Sequence, residues 1–264
     1  MAERSLNALI AATAVVLVLF VLWDAFRPES RPAPASVDAP PMVSPLPTPA
    51  PPGTASAPGA IRRGPDEPTY VELLARAEAR RQIRASAGMT YLNEIVAASG
   101  DSMLHRWTAR TAFDPVRVHM APTRVANFQP AFVAAVREAF RQWEAAGIPV
   151  KFALGADSAS AEVVIRWKVQ FEENRSGQTD LLWDQEGQIV SGEILLATFD
   201  AAGQPVTADD VRVVALHEIG HLLGLDHSPD PTDLMYPEAR VRELSVRDVR
   251  TADLLYRLPP GSLR

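Results

Sequence analysis

The first apolar run of the chain is long and uninterrupted by charge. It extends from Leu6 to Trp23. As a helix rising about 1.5 Å per residue it spans roughly 27 Å, close to the roughly 30 Å hydrocarbon core of a bilayer. A cleaved signal peptide usually has a shorter apolar region and a nearby cleavage motif of small residues. We therefore predict an uncleaved single-pass transmembrane anchor over residues 1–27, with a cleaved signal sequence as the alternative.

A proline-rich segment follows at residues 28–68. It holds 13 of the 23 prolines of the chain, and alanine, serine, threonine and glycine fill most of the gaps. Because proline fixes φ and removes an amide donor, neither a regular helix nor a sheet is available to this segment. We predict an extended, disordered linker that holds a domain away from the membrane. A docking ligand of the PxxP type is the alternative.

Helical periodicity begins at Thr69 and continues to about residue 104. Apolar residues recur there at spacings of three and four, with a break at Gly88, which predicts two amphipathic helices. The role of this segment is left open among three alternatives. It packs on the domain that follows, forms a stalk, or is a removable pro-region.

The pattern changes again from His105, where short alternating segments appear between helical ones. Strands are predicted at 115–120, 150–154, 161–167 and within 188–199, and a polar loop at 172–180. Helices are predicted at 130–146, from Thr207 onward, and over 245–256. Because strands and helices mix without strict alternation, the pattern predicts an α+β domain over residues 105–264.

Composition narrows the chemistry available to this domain. The net charge is −6, which argues against a nucleic-acid partner, since nucleic-acid binders carry basic patches. The chain has no cysteine, which removes thiolate ligands and cysteine nucleophiles. Any bound metal must therefore be held by histidine and carboxylate.

The sequence HEIGHLLGLDH at residues 217–227 supplies such ligands. A helix places His217 and His221 on one face, one turn apart, and Gly224 permits the turn that brings His227 to the same ion. Glu218 lies beside them and is free to hold a proton. Three protein ligands with an open fourth position are typical of a catalytic zinc site.

These residues, followed by LMYP at 234–237, resemble the metzincin zinc peptidases and, among them, the matrixins. Met235 matches the methionine turn of that family, and Ser228 after the third histidine is the matrixin residue. The resemblance implies a zincin-like fold, in which a mixed sheet packs with a long active-site helix and a C-terminal helix. It covers about residues 105–258.

The resemblance also implies a mechanism. His217, His221 and His227 would hold one Zn²⁺ through neutral imidazoles, and Glu218 would activate a zinc-bound water for attack on a peptide bond. Met235 would support the site without ligating, and Val213 would face the S1′ pocket. The strand preceding the metal helix would pair with extended substrate, which points here to residues 191–198.

The sequence departs from the matrixin pattern in several ways. Without cysteine, the propeptide latency of the vertebrate enzymes cannot operate. His105 and His119 are too few for the second zinc site of that family, and no convincing ligand cluster supports a structural calcium ion, which is left open. Glu238 and Ala239 occupy positions where the family often has an aromatic residue.

The function predicted from these features is a zinc-dependent endopeptidase that acts on protein or peptide substrates. Residues 6–23 would tether it to a membrane, with the catalytic domain periplasmic or extracellular, or secreted if the N-terminal segment is cleaved. Two alternatives remain: a zinc- or peptide-binding module whose catalysis has lapsed, and a cell-wall amide hydrolase.

Overall fold

A computed structural model of the chain describes residues 68–99, 102–238 and 240–263. The predicted membrane span at 6–23, the predicted linker up to residue 67 and Ala239 lie outside these residues. Within the described ranges, no helix is long and apolar enough to cross a membrane. The anchor and the linker therefore stay predictions.

The α-helices form where the hydrophobic periodicity predicts them. In the described part of the chain they are α1 (Tyr70–Ala85), α2 (Leu92–Ala98), α3 (Pro130–Ala145), α4 (Ala208–Leu222) and α5 (Val246–Arg257). Thr69, Thr207 and Ser245 begin α1, α4 and α5 with capping boxes. In each box the hydroxyl of the capping residue accepts a backbone N–H of the first turn. The carboxylate three residues later accepts the backbone N–H of the capping residue. Both bonds satisfy donors that have no partner within the helix.

The described strands form one mixed sheet and one small ribbon. They are β1 (Met103–Leu104), β2 (Val116–Met120), β3 (Phe152–Leu154), β4 (Val163–Lys168), β5 (Gly177–Trp183), β6 (Ile189–Ala197) and β7 (Gly261–Ser262). The sheet has the order β3-β2-β4-β6-β5, and β1 pairs with β7. Neighbouring strands from β3 to β6 are parallel, whereas β5 runs antiparallel to β6. The mixed sheet and helices agree with the predicted α+β class.

The structure corrects two predictions for the region before the metal helix. The loop predicted at 172–180 gives way to β5 at Gly177. As an edge strand, β5 contains no fully buried residue, so it lacks the alternation that reveals a strand in a sequence. The substrate-pairing edge predicted at 191–198 is also wrong, because 191–197 lie in β6, which is hydrogen-bonded to β4 and β5. The free edge on this side of the sheet is β5.

The core lies where α3 and α4 pack against each other and against the sheet. The indole N–H of Trp143 on α3 donates to the carbonyl oxygen of Leu216 on α4 at 2.8 Å. Phe132 stacks on Trp167 of β4 with ring centroids 6.0 Å apart. These contacts bury the apolar face of α3 and join α4, the helix with the metal motif, to the core.

Residues 69–99 pack onto the same compact unit as the rest of the described chain. Tyr91 and Leu92, at the start of α2, are fully buried. The backbone N–H of Tyr91 donates to Thr251 Oγ1 at 3.1 Å, and its phenol donates to Asp248 Oδ1 at 3.0 Å. The segment whose role the sequence leaves open is therefore joined to α5 by burial and by hydrogen bonds.

Candidate active site

The three histidines of the motif converge on one point. Their ligand-capable nitrogens all lie within 4.8 Å of one another. His217 is buried, His221 half-buried and His227 exposed. Among the described residues, this is the one group of three or more histidine or carboxylate side chains arranged to share a metal ion.

Hydrogen bonds fix which nitrogen of each helix-borne imidazole faces the centre. His217 Nδ1 lies 2.8 Å from the carbonyl oxygen of Leu234, and His221 Nδ1 lies 2.8 Å from that of Leu225. Because a carbonyl oxygen only accepts, each Nδ1 must carry the hydrogen, which leaves a lone pair on each Nε2 of the neutral rings. The two Nε2 atoms are 3.2 Å apart. Neither Nε2 carries a hydrogen that it could donate to the other. A cation bound by both nitrogens would instead accept the two lone pairs.

Burial keeps these imidazoles in the neutral form that binds metal. It lowers the pKa of His217, and it lowers the pKa of His221 to about 3, with the neighbouring histidines adding to the effect. Partial burial of its ring also lowers the pKa of His227, although its side chain is 44% exposed. Three neutral imidazoles with converging lone pairs are a donor set that fits zinc.

Gly224 makes the turn that brings the third histidine to the other two. Its φ is +95°, a left-handed conformation that favours glycine, and a Cβ there would lie 2.0 Å from the carbonyl oxygen of His105. The same turn carries Leu225, whose carbonyl oxygen orients His221. Gly224 is thus required both for its backbone conformation and for the close approach of the chain before β2.

Met235 packs against the metal helix, and its role in supporting a bound metal stays a prediction. It is fully buried, and a Cβ on Gly220 would come 2.3 Å from its sulfur. Gly220 lies between the two helix-borne histidines, so the missing side chain lets the methionine turn pack directly against the helix. Ser228 N–H donates to the Met235 carbonyl oxygen at 2.8 Å, and Ser228 Oγ donates to buried Asp233. The turn is therefore anchored from both sides.

Asp248, at the start of α5, holds the methionine turn and was not identified from the sequence. It is fully buried, and its Oδ2 accepts the backbone N–H of Leu234 at 2.9 Å. Its Oδ1 accepts the phenol of Tyr91 at 3.0 Å. The sequence does indicate that Asp248 caps the helix, because a carboxylate three residues after Ser245 matches a capping box. The long-range contacts of that carboxylate had no signal in the sequence.

Two buried aromatic residues satisfy the carboxyl end of the metal helix, where carbonyl groups lack intrahelical partners. The indole N–H of Trp107 donates to the Leu222 carbonyl oxygen at 2.9 Å. The phenol of Tyr256 donates to the Leu223 carbonyl oxygen at 3.0 Å. These bonds end α4 immediately before the turn at Gly224, so they help to fix the direction in which the chain leaves the helix.

Glu218 lines the same cleft as the trio and contacts the edge strand. Its side chain is buried, and burial raises its pKa to about 7. Thr179 Oγ1 of β5 lies 2.7 Å from Glu218 Oε2 and 3.0 Å from its carbonyl oxygen. A Cβ on Gly177 would come 2.4 Å from Oε1. Neither Thr179 nor Gly177 was singled out from the sequence, because both fall in the stretch predicted as a loop.

A cleft of about 1180 Å³ opens beside these residues. Val213 and Val214 of α4 and Pro237 line one part of it, and Trp183 at the end of β5 lines another. Val213 is buried and lines this cleft, and its place in an S1′ pocket stays a prediction. Glu238 also lines the cleft, and Ala239 lies outside the described residues.

The histidines outside the motif take other roles. The ring of His105 lies 4.1 Å, centroid to centroid, from that of Trp183. His119 Nδ1 lies 2.9 Å from the carbonyl oxygen of Ala156. Neither belongs to the trio that converges on one point.

Comparisons with known proteins agree with this geometry. The family model described as Matrixin matches residues 117–257, more than half of the chain. Metalloendoproteinase 1-MMP of Arabidopsis thaliana is 32% identical over 133 residues, which are 46% of this chain and 36% of the relative. Metalloendoproteinase 1 of Glycine max is 49% identical over 55 residues, 20% of this chain and 18% of the relative.

A viral relative matches the chain as well. The probable matrix metalloproteinase 095L of Invertebrate iridescent virus 3 is 41% identical over 88 residues, 30% of this chain and 23% of the relative. The chain thus spans 36% or less of the length of these three curated relatives. With the family match over 117–257 and the converging histidines, the chain belongs to the matrixin family.

Proposed function

We propose that the domain is a zinc-dependent endopeptidase in which His217, His221 and His227 hold the ion and Glu218 is the general base. The observation that carries the proposal is the position of Glu218. Its buried carboxyl group and the three imidazoles line one open cleft. A pure metal-binding module has no need of a carboxyl group there, because a fourth side chain is not required to hold the ion.

In this proposal the bound zinc ion and Glu218 have separate chemical roles. A bound zinc ion supplies Lewis-acid polarisation of the scissile carbonyl and makes the attacking water more acidic. Glu218 accepts the proton of that water on a carboxylate oxygen and delivers it to the leaving amine nitrogen. Burial is the main cause that raises the pKa of Glu218 to about 7, against the lowering effect of the Thr179 hydrogen bond, and a nearby cation favours the ionised, proton-accepting form.

The substrate in this proposal is an extended peptide that adds to the free edge of β5. An edge strand presents unpaired backbone groups, and an extended peptide can use them as a further strand. The cleft follows this edge from Gly177, beside Glu218, to Trp183. Val213, Val214 and Pro237 give the cleft an apolar wall, which favours an apolar side chain next to the scissile bond.

Cleavage by the full chain tests the proposal. Incubated with a diverse peptide library, the zinc-loaded wild type should cut peptide bonds. The Glu218→Ala variant should retain zinc, measured by atomic emission, and cut none. Full activity of that variant contradicts the proposal. A wild type that holds zinc and cleaves no peptide supports a lapsed binding module, and cleavage confined to cell-wall fragments supports the amide hydrolase.

We also propose that residues 6–23 tether the domain to a membrane, with residues 28–68 as the spacer and the domain on the extracytoplasmic side. The support is the uncharged apolar run and the proline content of the sequence. In fractionated cells the chain should sediment with membranes and resist extraction at high salt. An added protease should digest its C-terminal domain once the extracytoplasmic face is accessible. Recovery of the full-length chain in the soluble cytoplasm contradicts this proposal.

A further inference from the structure

Two residues of the edge strand face the carboxyl group of Glu218. Gly177 and Thr179 are two positions apart on β5, so they lie on the same face of the strand. Thr179 Oγ1 is 2.7 Å from Oε2, while Oε1 lies over Gly177, where a Cβ would come within 2.4 Å. The Thr179 hydroxyl thus holds one carboxylate oxygen by a hydrogen bond. The other oxygen occupies the space that a side chain at position 177 would fill.

We propose that Thr179 is a positioning residue for the general base, and that its hydroxyl group fixes the orientation in which Glu218 receives and releases a proton. This inference rests on the proposed function, because it needs Glu218 to act as a base. Thr179 itself does not contact the reacting atoms in this proposal. It acts only through the carboxyl group that it holds.

The need for such a residue follows from the glutamate side chain. Glutamate has several rotatable bonds, and holding its carboxyl group in one orientation costs conformational entropy. A hydrogen bond to a charged group is among the stronger ones and can offset this cost. Proton transfer requires a base within hydrogen-bonding reach of the proton, so a rotated carboxyl group loses rate even when the substrate binds normally.

The hydroxyl group can keep this contact throughout proton transfer. Thr179 Oγ1 has one hydrogen and two acceptors in reach, Glu218 Oε2 at 2.7 Å and the Glu218 carbonyl oxygen at 3.0 Å. When Glu218 is ionised, the hydroxyl donates to Oε2. When Glu218 is protonated on Oε2, the carboxyl group donates to Oγ1 and the hydroxyl donates to the carbonyl oxygen. A methyl group at this position could do neither.

A merely structural role predicts a different outcome. Threonine is favoured in strands, and Thr179 pairs with Ile194 of β6, so it serves the sheet whatever its hydroxyl group does. Valine has the same shape and is equally favoured in strands, but has no hydroxyl. Serine keeps the hydroxyl and loses the methyl group. The two substitutions therefore separate the contact with Glu218 from the packing of the strand.

The experiment measures kcat and KM of the full, zinc-loaded chain on a peptide that the wild type cuts. Thr179→Val should lower kcat by about ten- to one-hundred-fold with KM and zinc content unchanged. Thr179→Ser should restore most of kcat. The control Thr111→Val removes a buried hydroxyl that donates to the Thr108 carbonyl oxygen at 2.8 Å, and it should leave kcat unchanged. A kcat within twofold of wild type in Thr179→Val, or an equal loss in Thr179→Ser, overturns the proposal.

Crystal structures of the zinc-loaded wild type and Thr179→Val provide a readout that does not depend on activity. The hydroxyl–carboxyl contact should be present in the wild type, and the carboxyl group of Glu218 should change orientation in the variant. An unchanged Glu218 in the variant overturns the positioning role. If the wild type cleaves nothing, the proposed function fails, and these two structures still decide whether Thr179 orients the carboxyl group.

Discussion

The Nδ1–H of His217 donates to the carbonyl oxygen of Leu234 at 2.8 Å, which joins the metal helix to the residue before Met235. The backbone N–H of Leu234 in turn donates to Asp248 Oδ2 at 2.9 Å. A single residue therefore connects a ligand ring to the first turn of the C-terminal helix. Groups that orient a metal ligand in this way tune its affinity without touching the metal.

Asp248→Ala should destabilise the fold and weaken zinc binding together. The substitution leaves the buried donors of Leu234 and Tyr91 without an acceptor and frees the methionine turn. We expect a loss of roughly 3 kcal/mol in the free energy of unfolding. Zinc affinity should fall by about ten- to one-hundred-fold. Urea denaturation and a competition titration with a zinc chelator measure the two effects.

Asp253→Ala is the matched control on the same helix. Its carboxylate is exposed and pairs with Arg257 at 2.8 Å, a contact that contributes little to stability. Both the free energy of unfolding and the zinc affinity should stay near those of the wild type. Equal effects of the two substitutions would show that loss of an aspartate from α5, and not the link to Leu234, causes the change.

The sequence predicted the features that depend on local chemistry. The helices predicted at 130–146 and from Thr207 onward follow from helical spacing, and both appear in the structure as α3 and α4. The three histidines converge as predicted because a helical turn and a glycine turn fix their spacing. All of this is encoded within a few neighbouring residues.

The missed features depend on residues distant in the chain. β5 has no buried face, so only its pairing with β6 makes it a strand. Because the start of β5 was predicted as a loop, the free edge of the sheet was assigned to the wrong strand. Thr179 was missed for the same reason, and its partner Glu218 lies 39 positions away in the sequence. In the sequence, Asp248 is likewise identifiable only as a helix-capping residue. Its contact with Leu234, 14 positions away, appears only in the structure.

Gly224→Ala should be much more damaging than Gly203→Ala. Both glycines have positive φ, +95° and +76°, so both substitutions carry backbone strain of roughly 1 kcal/mol or more. Only at Gly224 would the Cβ also overlap a backbone atom, the His105 carbonyl oxygen at 2.0 Å, whereas nothing lies within 4 Å at Gly203. We expect an additional loss of roughly 2 kcal/mol at Gly224. Equal thermal shifts for the two variants would contradict this steric account.

Zinc should stabilise the folded chain only when the trio is intact. A ligand that binds the native state alone adds about 2.7 kcal/mol when its free concentration is a hundred times Kd. Chelation should therefore lower the melting temperature of the wild type, and added zinc should restore it. His221→Ala should abolish the shift, whereas His119→Ala should keep it, since His119 lies outside the trio. A full zinc-dependent shift in His221→Ala would rule out the assigned ligand set.

Tyr91→Ala tests whether residues 69–99 belong to the folded domain. Tyr91 is fully buried and bonded to Asp248 and Thr251, so its truncation should cost roughly 4 kcal/mol of unfolding free energy. Tyr70, on α1, is 65% exposed, and Tyr70→Ala should change stability by less than about 0.5 kcal/mol. A removable pro-region predicts the opposite for Tyr91: activity and stability that survive both the substitution and cleavage after residue 99.

Trp183 should report peptide binding at the free edge of the sheet. It is 47% exposed at the end of β5 and lines the cleft. The other tryptophans of the described chain are buried, namely Trp107, Trp143 and Trp167. A peptide added to β5 should cover the Trp183 indole and shift its emission. In the inactive Glu218→Ala chain the shift should saturate with peptide concentration, and it should disappear in Glu218→Ala/Trp183→Phe while the peptide still binds by calorimetry. A shift that persists without Trp183 would mean that the peptide lies elsewhere than along β5.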